Sequence, residues 1–340
     1  LDFGSFHIFH IENPFQIVYI AEESFHVFML IVGAFFRLIR WPNLFFIALA
    51  QSLFYYAILL PGFQTVGLKN TLSPNMFFFL VLSCLFIAAA GYIINDYFDL
   101  NIDRVNKPGK MVVEKIIKRR WAIIWHGLLS GLGILIGIYI SFSIHNPIIW
   151  ISHCAAVALL LFYSTTFKRK LLIGNIIVSF LSSWVLLVLY LCEFRLHTFV
   201  HPIYHQVLSR IFKFAILYAG FAFILSLVRE VVKDIEDMEG DASYKCRTMP
   251  IVWGVDVSKV FAGTWLVVLI LSMAILQFYV LQYKWWWVVV YSVLFVILPL
   301  LYILRNLYRA RAQEDFHELS GDIKLVMFTG ILSMALFLIF

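Results

Sequence analysis

The chain is 340 residues long, 62% apolar and only 14% charged, with a formal charge of +6. Soluble domains are about half apolar and about a quarter charged, so this composition excludes a soluble globular domain. The basic excess is one-sided and suits anionic lipid headgroups or an anionic substrate; it is not a nucleic-acid-binding stripe, and no nucleic acid is expected as a partner.

In chain order, residues 1–36 form an N-terminal extension of mixed polar and aromatic character, without the basic start and small-residue cleavage site of a signal peptide. The run from Phe25 to Ile39 is predicted to be an amphipathic lead-in at the membrane interface. From residue 37 to 340 no linker or repeat breaks the hydrophobic rhythm, which predicts one integral domain. Crossing a bilayer takes about 20 apolar residues in a helix, and nine segments approach that length. They lie near 43–63, 77–98, 121–143, 148–166, 171–192, 211–232, 257–281, 285–304 and 323–340. Lipid offers the backbone no hydrogen-bond partner, so each must be a helix, and the expected fold is an all-α polytopic membrane protein.

The connecting segments set the orientation. With these spans, 21 of the 26 Lys and Arg residues fall on one side, among them Arg40, Lys107, Lys168, Arg169, Lys233, Lys259 and Lys324. Basic loops stay in the cytoplasm, which predicts an integral protein of the cell (inner) membrane with that side inward. The four cysteines, Cys84, Cys154, Cys192 and Cys246, are widely spaced and signal neither a zinc site nor a disulfide framework.

The carboxylates are few and patterned. At the end of the second span, Asn95, Asp99 and Asp103 recur every four residues, which stacks three oxygen-bearing side chains on one helix face. Such a row repels itself and is costly near a membrane unless a cation neutralises it. Oxygen-only ligands suit a hard ion, and Mg2+ takes one or two carboxylates completed by waters and substrate phosphates. After the sixth span, Asp237 and Asp241 repeat the spacing, with Asp234 a turn earlier on a neighbouring face. Taken singly, either cluster is equally well a solvated helix end. Both emerge on the same inferred side, so the two faces could meet across a central cavity and hold metal bridged by one diphosphate. Lys107, Lys168 and Arg169 on the intervening loops could neutralise the phosphate charge.

Asn95-x-x-x-Asp99-x-x-x-Asp103 followed by Asn106-Lys107-Pro108 resembles the first signature of the UbiA superfamily of intramembrane prenyltransferases, and Asp237-Met-Glu-Gly-Asp241, preceded by Lys233-Asp234, resembles the second. Arg40 and Asn43 at the start of span one, Tyr163-Ser164, Lys168 and Gly174-Asn175 are further similarities. The resemblance runs from about Arg37 to the C-terminus and departs at Gly109-Lys110-Met111, where relatives carry Arg-Pro. It implies nine helices around a laterally open chamber and Mg2+-dependent transfer of a prenyl group from a prenyl diphosphate to a lipophilic acceptor. The phrase from Arg229 to Asp241, continued by Arg247-Thr248-Met249-Pro250, is most similar to the branch that transfers geranylgeranyl groups to glycerol-phosphate lipids; quinone-type aromatic prenyltransferases share much of it.

Other residues carry less. His201 and His205 stand four apart but flank Pro202 in an expected external loop, and Glu314, Asp315 and Glu318 read as a surface charge mixture. Trp285-Trp286-Trp287 reads as an interfacial anchor, and Tyr97 and Phe98 as ordinary aromatic packing. An ion-coupled transporter would place its acids near the bilayer midplane on broken helices, whereas these lie at helix ends beside basic loops. A CDP-alcohol phosphotransferase would carry an Asp-Gly-x-x-Ala-Arg pattern that is absent.

Overall fold

The structure, a computed structural model, describes residues 29–106, 109, 111–194 and 202–338. Among the described residues nine helices are long and apolar enough to cross a membrane, and the only β pairing is one isolated bridge between Val113 and Ile117. The N-terminal extension lies outside them up to residue 28, and a short helix α1, Met29–Leu38, leads into the first span.

The spanning helices are α2 (Trp41–Gln64), α3 (Pro74–Asn106), α4 (Arg119–Ile144), α5 (Ile148–Thr165), α6 (Ile173–Glu193) and α7 (Pro202–Glu236). After the short α8 (Met238–Ser243) and α9 (Met249–Trp253) come α10 (Val255–Leu281), α11 (Trp286–Arg309) and α12 (Gln313–Leu338). Helices α2 and α11 each contain one widened turn, at Phe54–Leu59 and Val293–Ile297, running into Pro61 and Pro299. Proline cannot donate to the preceding turn and its ring crowds the carbonyl there; the widened turn absorbs both faults without breaking the span.

Packing contacts close a ring: α2 on α3, α3 on α5, α5 on α6, α6 on α7, α7 on α12, and α12 back on α2. Helix α4 packs outside against α3 and α5, while α10 lies against α7 and α11. At the end of the ring away from the aspartates, Tyr55, Phe63, Leu72, Leu189 and Ile211 form a fully buried plug. There the buried carboxylate of Glu193 accepts hydrogen bonds from the backbone N–H groups of Thr71 and Leu72 at 2.7 and 2.8 Å, tying the α2–α3 loop to α6. Burying an acid is tolerated because both oxygens are satisfied.

The last span begins ten residues earlier than its hydropathy predicts. Asp315 accepts from the N–H groups of Arg311 and Ala312 at 2.7 and 2.9 Å and so caps the start of α12. Glu314, Asp315 and Glu318 are therefore helical, with Asp315 structural, and Lys324 sits inside the span. Lys259 is likewise no loop residue: it lies in α10, buried, and donates to the carbonyl of Ala310 at the end of α11. His205 falls within α7, which starts at Pro202; His201 lies outside the described residues. Trp286 and Trp287 are exposed at the start of α11, and Trp285 packs on Phe337.

Candidate active site

The ring encloses a cavity of about 1030 Å3, at the upper end of the size range of small-molecule sites. Helix α3 lines it with a stripe that includes Ile87, Gly91, Asn95, Asp99, Ile102, Asp103 and Asn106, the three-and-four spacing of one helix face. Helix α7 does the same with Ser226, Arg229, Glu230, Lys233 and Asp234, continued by Asp237 at the turn and Asp241 in α8. Both stripes are apolar toward the membrane centre and acidic at the same end. The spacing of the carboxylates thus brings Asp99, Asp103, Asp237 and Asp241 to one cavity.

A side-chain amide ties the two acidic ends together. Asn106, the last residue of α3, donates from Nδ2 to the carbonyl of Asp237 at 3.1 Å and accepts at Oδ1 from the N–H of Gly240 at 3.0 Å. A Cβ on residue 240 would overlap the Asn106 amide, so glycine is what allows the two elements to approach this closely.

Lys168 closes the site from the α5–α6 connection. It sits on a tight helical turn, Phe167–Arg169, seated against the first turn of α6. A Cβ on Gly174 would stand 2.8 Å from the Lys168 Cα, so glycine is required there too. The Lys168 ammonium forms an ion pair with Asp99. Burial pushes its pKa down to about 8, against the opposing negative field of Asp241. Arg40 lies at the break between α1 and α2 in the left-handed region (φ 51°). It is fixed there by an ion pair with Asp96 at 2.7 Å and by stacking over the Tyr92 ring at 5.0 Å. Asp96 keeps the guanidinium charged although burial opposes that charge.

Arg40, Asn43, Asn95, Tyr163, Lys168, Lys233 and Asp234 all line the cavity together with the four aspartates. Two residues expected at the substrate do not. Asn175 stands behind Asp234, donating to its Oδ2 at 2.8 Å, and so positions that carboxylate. Arg169 does not line the cavity; its carbonyl accepts from the N–H of Arg247, linking two loops on this side. On so tight a turn adjacent side chains diverge, and Lys168 takes the inward position. Lys107 lies outside the described residues. Tyr97 and Phe98 pack edge to face with one another, and Arg119 stacks over Tyr97.

Sequence reasoning gave no role to Asn106, Arg229, Glu230 or Lys324, all of which line the cavity.

The donor set suits a hard cation. Asn95 donates from Nδ2 to Asp99 Oδ2 at 2.8 Å, which leaves its Oδ1 buried with no hydrogen-bond partner among the described residues. With Asp99, Asp103, Asp237 and Asp241 it makes an all-oxygen set. Among the described residues no three His, Cys, Asp or Glu side chains form a complete metal cage. Mg2+ takes one or two carboxylates and fills out its shell with waters and phosphate oxygens.

Comparison with known proteins agrees with this geometry. A digeranylgeranylglyceryl phosphate synthase of Methanosphaera stadtmanae is 27% identical over 257 residues, covering 74% of this chain and 85% of the relative. One of the same name from Thermococcus sibiricus is 32% identical over 169 residues, half of this chain and 53% of the relative. Two solved structures share the fold. One concerns digeranylgeranylglyceryl phosphate synthase (TM-score 0.60, 22% identity, covering 90% of this chain and 98% of that one). The other is a UbiA homolog from Archaeoglobus fulgidus bound to DMAPP and Mg2+ (TM-score 0.53, 15% identity, covering 88% and 99%). The family model of UbiA prenyltransferases matches residues 56–331, and the chain, an integral membrane enzyme of the prenyltransferase class, belongs to the UbiA prenyltransferase family.

Proposed function

We propose that this protein transfers a prenyl group, geranylgeranyl by preference, from its diphosphate to a glyceryl-phosphate lipid in a Mg2+-dependent reaction. The observation that carries the reading is the meeting of two acidic stripes, α3 and α7–α8, over one apolar cavity, with Lys168 reaching Asp99 between them. The acceptor assignment draws on the names of the most similar relatives. On this reading residues 37–340 are the catalytic domain and 1–36 an extension. The acidic end faces the cytoplasm of a cell membrane.

Asn95, Asp99 and Asp103 on one side and Asp237 and Asp241 on the other would hold Mg2+ with the donor's diphosphate. The bound cation supplies a hard positive charge that draws electron density from the diphosphate oxygens and eases their departure. Lys168 donates hydrogen bonds to the departing group, and Asp234, oriented by Asn175, keeps the neighbouring cations in place. As the allylic C–O bond breaks, its electron pair leaves with the diphosphate. The acceptor hydroxyl oxygen bonds to the prenyl carbon, and its proton passes to the diphosphate. The Tyr92 and Phe221 rings in the cavity wall favour the developing cation, and apolar Ile87, Ala88 and Leu160 keep water from capturing it.

The test is product identification by mass spectrometry after incubating detergent-purified protein with geranylgeranyl diphosphate, geranylgeranylglyceryl phosphate and Mg2+. A digeranylgeranyl ether product supports the reading. Turnover of a hydroxybenzoate or naphthoate, with none of the glyceryl phosphate, would move the protein to quinone synthesis; no prenylated product with any acceptor would end the proposal.

A further inference from the structure

Away from the aspartates the cavity ends on a floor. Its lining stops at Ala50 on α2, Cys84 on α3, Leu186 on α6, Tyr218 on α7 and Met334 on α12. Ala50, Leu186 and Met334 belong to the buried cluster that includes Phe54, Tyr55 and Leu59, and Cys84 and Tyr218 pack against it, so close-packed side chains lie beneath this floor. Two polar contacts between spans hold it. Gln51, fully buried beside Ala50, donates from Nε2 to the carbonyl of Val185 at 2.9 Å and to Cys84 Sγ at 3.4 Å, joining α2, α3 and α6. The Tyr218 hydroxyl shares a hydrogen bond with Ser333 Oγ at 3.0 Å, joining α7 and α12. Polar side chains inside a membrane are costly unless they bond across helices, and here they bond at the level where the cavity stops.

The depth of this floor matches a molecular length. The hydrogen bond from Asn106 to the carbonyl of Asp237 gives α3 and α7 a common level. Asp99 lies seven residues down α3 from that level, about 10 Å along the axis. Tyr218 lies nineteen residues down α7, about 28 Å, and Cys84 twenty-two residues down α3, about 33 Å. The floor is therefore about 18–22 Å below Asp99. An extended chain advances about 1.15 Å per bond, so an isoprene unit of four main-chain bonds spans about 4.6 Å, four units about 18 Å and five about 23 Å. Resting on the reading that a prenyl diphosphate is held at the aspartates, we propose that the floor of Ala50, Cys84, Leu186, Tyr218 and Met334 sets the donor's chain length, ending the prenyl pocket after four isoprene units. A fifth unit presses on side chains with no room to yield, and overpacking a dense interior is costly. A missing unit leaves the floor unfilled and forgoes the burial of five carbons. Ala50, the smallest side chain of the five, is the place where the floor is most simply raised.

The test is equilibrium binding of three-, four- and five-unit prenyl diphosphates to the full chain in detergent, with Mg2+ and without acceptor. The wild type binds the four-unit donor about tenfold or more tighter than either neighbour, since burying one isoprene unit is worth at least that factor. Partition into micelles rises steadily with chain length and so cannot produce a maximum at four units. Ala50→Phe raises the floor and moves the maximum to three units, and Met334→Ala lowers it and admits five. Any other order in the wild type, above all a five-unit donor bound as tightly as the four-unit one, overturns the proposal whether or not the variants fold, because the chain then finds a way out between the helices. So does a maximum that stays at four units in folded Ala50→Phe and Met334→Ala. A maximum at four units without any prenylated glyceryl phosphate in turnover supports the floor and defeats the acceptor assignment alone. No binding of any prenyl diphosphate defeats both.

Discussion

Asn106 and Gly240 lie 134 residues apart in sequence, yet the backbone N–H of Gly240 donates to Asn106 Oδ1 at 3.0 Å, and Asn106 reaches the carbonyl of Asp237 as well. Each acidic stripe is set by its own helix, and this amide ties the two ends to one another. The contact therefore acts on catalysis through the distance between ligand groups.

Gly240→Ala places a methyl group where the Asn106 amide stands, and Asn106→Ala removes two hydrogen bonds. Both changes are expected to lower turnover about tenfold or more, because misplaced ligand groups cost rate steeply. Thermal unfolding should show a loss of only about 1–3 kcal/mol, the usual range for point changes. Apparent Mg2+ affinity should fall in parallel with turnover. Unchanged Mg2+ dependence in both variants would show that the staple does not set the ligand spacing.

Asp99→Asn and Asp237→Asn test the two stripes as a unit. Each is expected to cost at least about a hundredfold in turnover, since even outer-shell changes at metal sites cost that much. The double variant should be little worse than either single one, as for groups that act together. Chelation should abolish activity and added Mg2+ restore it. Substitution of exposed Glu314 or His205, away from the cavity, should stay within about 0.5 kcal/mol in stability and leave turnover intact. Substantial turnover by both single variants at saturating Mg2+ would refute the bridged-diphosphate arrangement.

The sequence showed the two stripes because a four-residue spacing projects side chains onto one helix face whatever surrounds the helix. Asp99, Asp103, Asp237 and Asp241 are legible for that reason. The number of spans is legible because hydrocarbon thickness fixes helix length. Contacts between distant segments leave no such trace. Asn106 could be read as part of a motif, but its hold on Gly240 depends on how two loops meet. Arg169 and Lys168 are adjacent and chemically alike, and only the direction of a tight turn separates them. Lys324 was hidden by its position near the start of an apolar run, where hydropathy places a loop and the Asp315 cap in fact starts the helix early.

Lys115 and Lys245, both exposed, flank spans that return to the same side, and exposed Lys69 lies on the loop between the first two spans. In a background with the four native cysteines replaced, Lys115→Cys and Lys245→Cys should react with an impermeant maleimide only after the cytoplasmic side is opened. Lys69→Cys should react in intact cells. Labelling of Lys115→Cys and Lys245→Cys from opposite sides would contradict a shared cavity mouth.

The last expectation concerns pH and comes from Lys168. Burial lowers its pKa from 10.5 to about 8, so the ammonium that meets Asp99 is lost as pH rises through that value. If the ammonium serves the departing diphosphate, kcat/KM should fall above about pH 8, and Lys168→Arg should move this limb upward because guanidinium stays charged. A decline caused by unfolding would have the opposite companion. Because the unfolded chain binds the Lys168 proton more tightly between about pH 8 and 10.5, this group's contribution makes the fold more stable as pH rises through that window. Activity should therefore drop while the unfolding midpoint holds or rises. Lys168→Gln should be slow at every pH and show no such limb. An alkaline limb of the same position in Lys168→Arg and wild type would assign the titration to another group and remove Lys168 from the proposed chemistry.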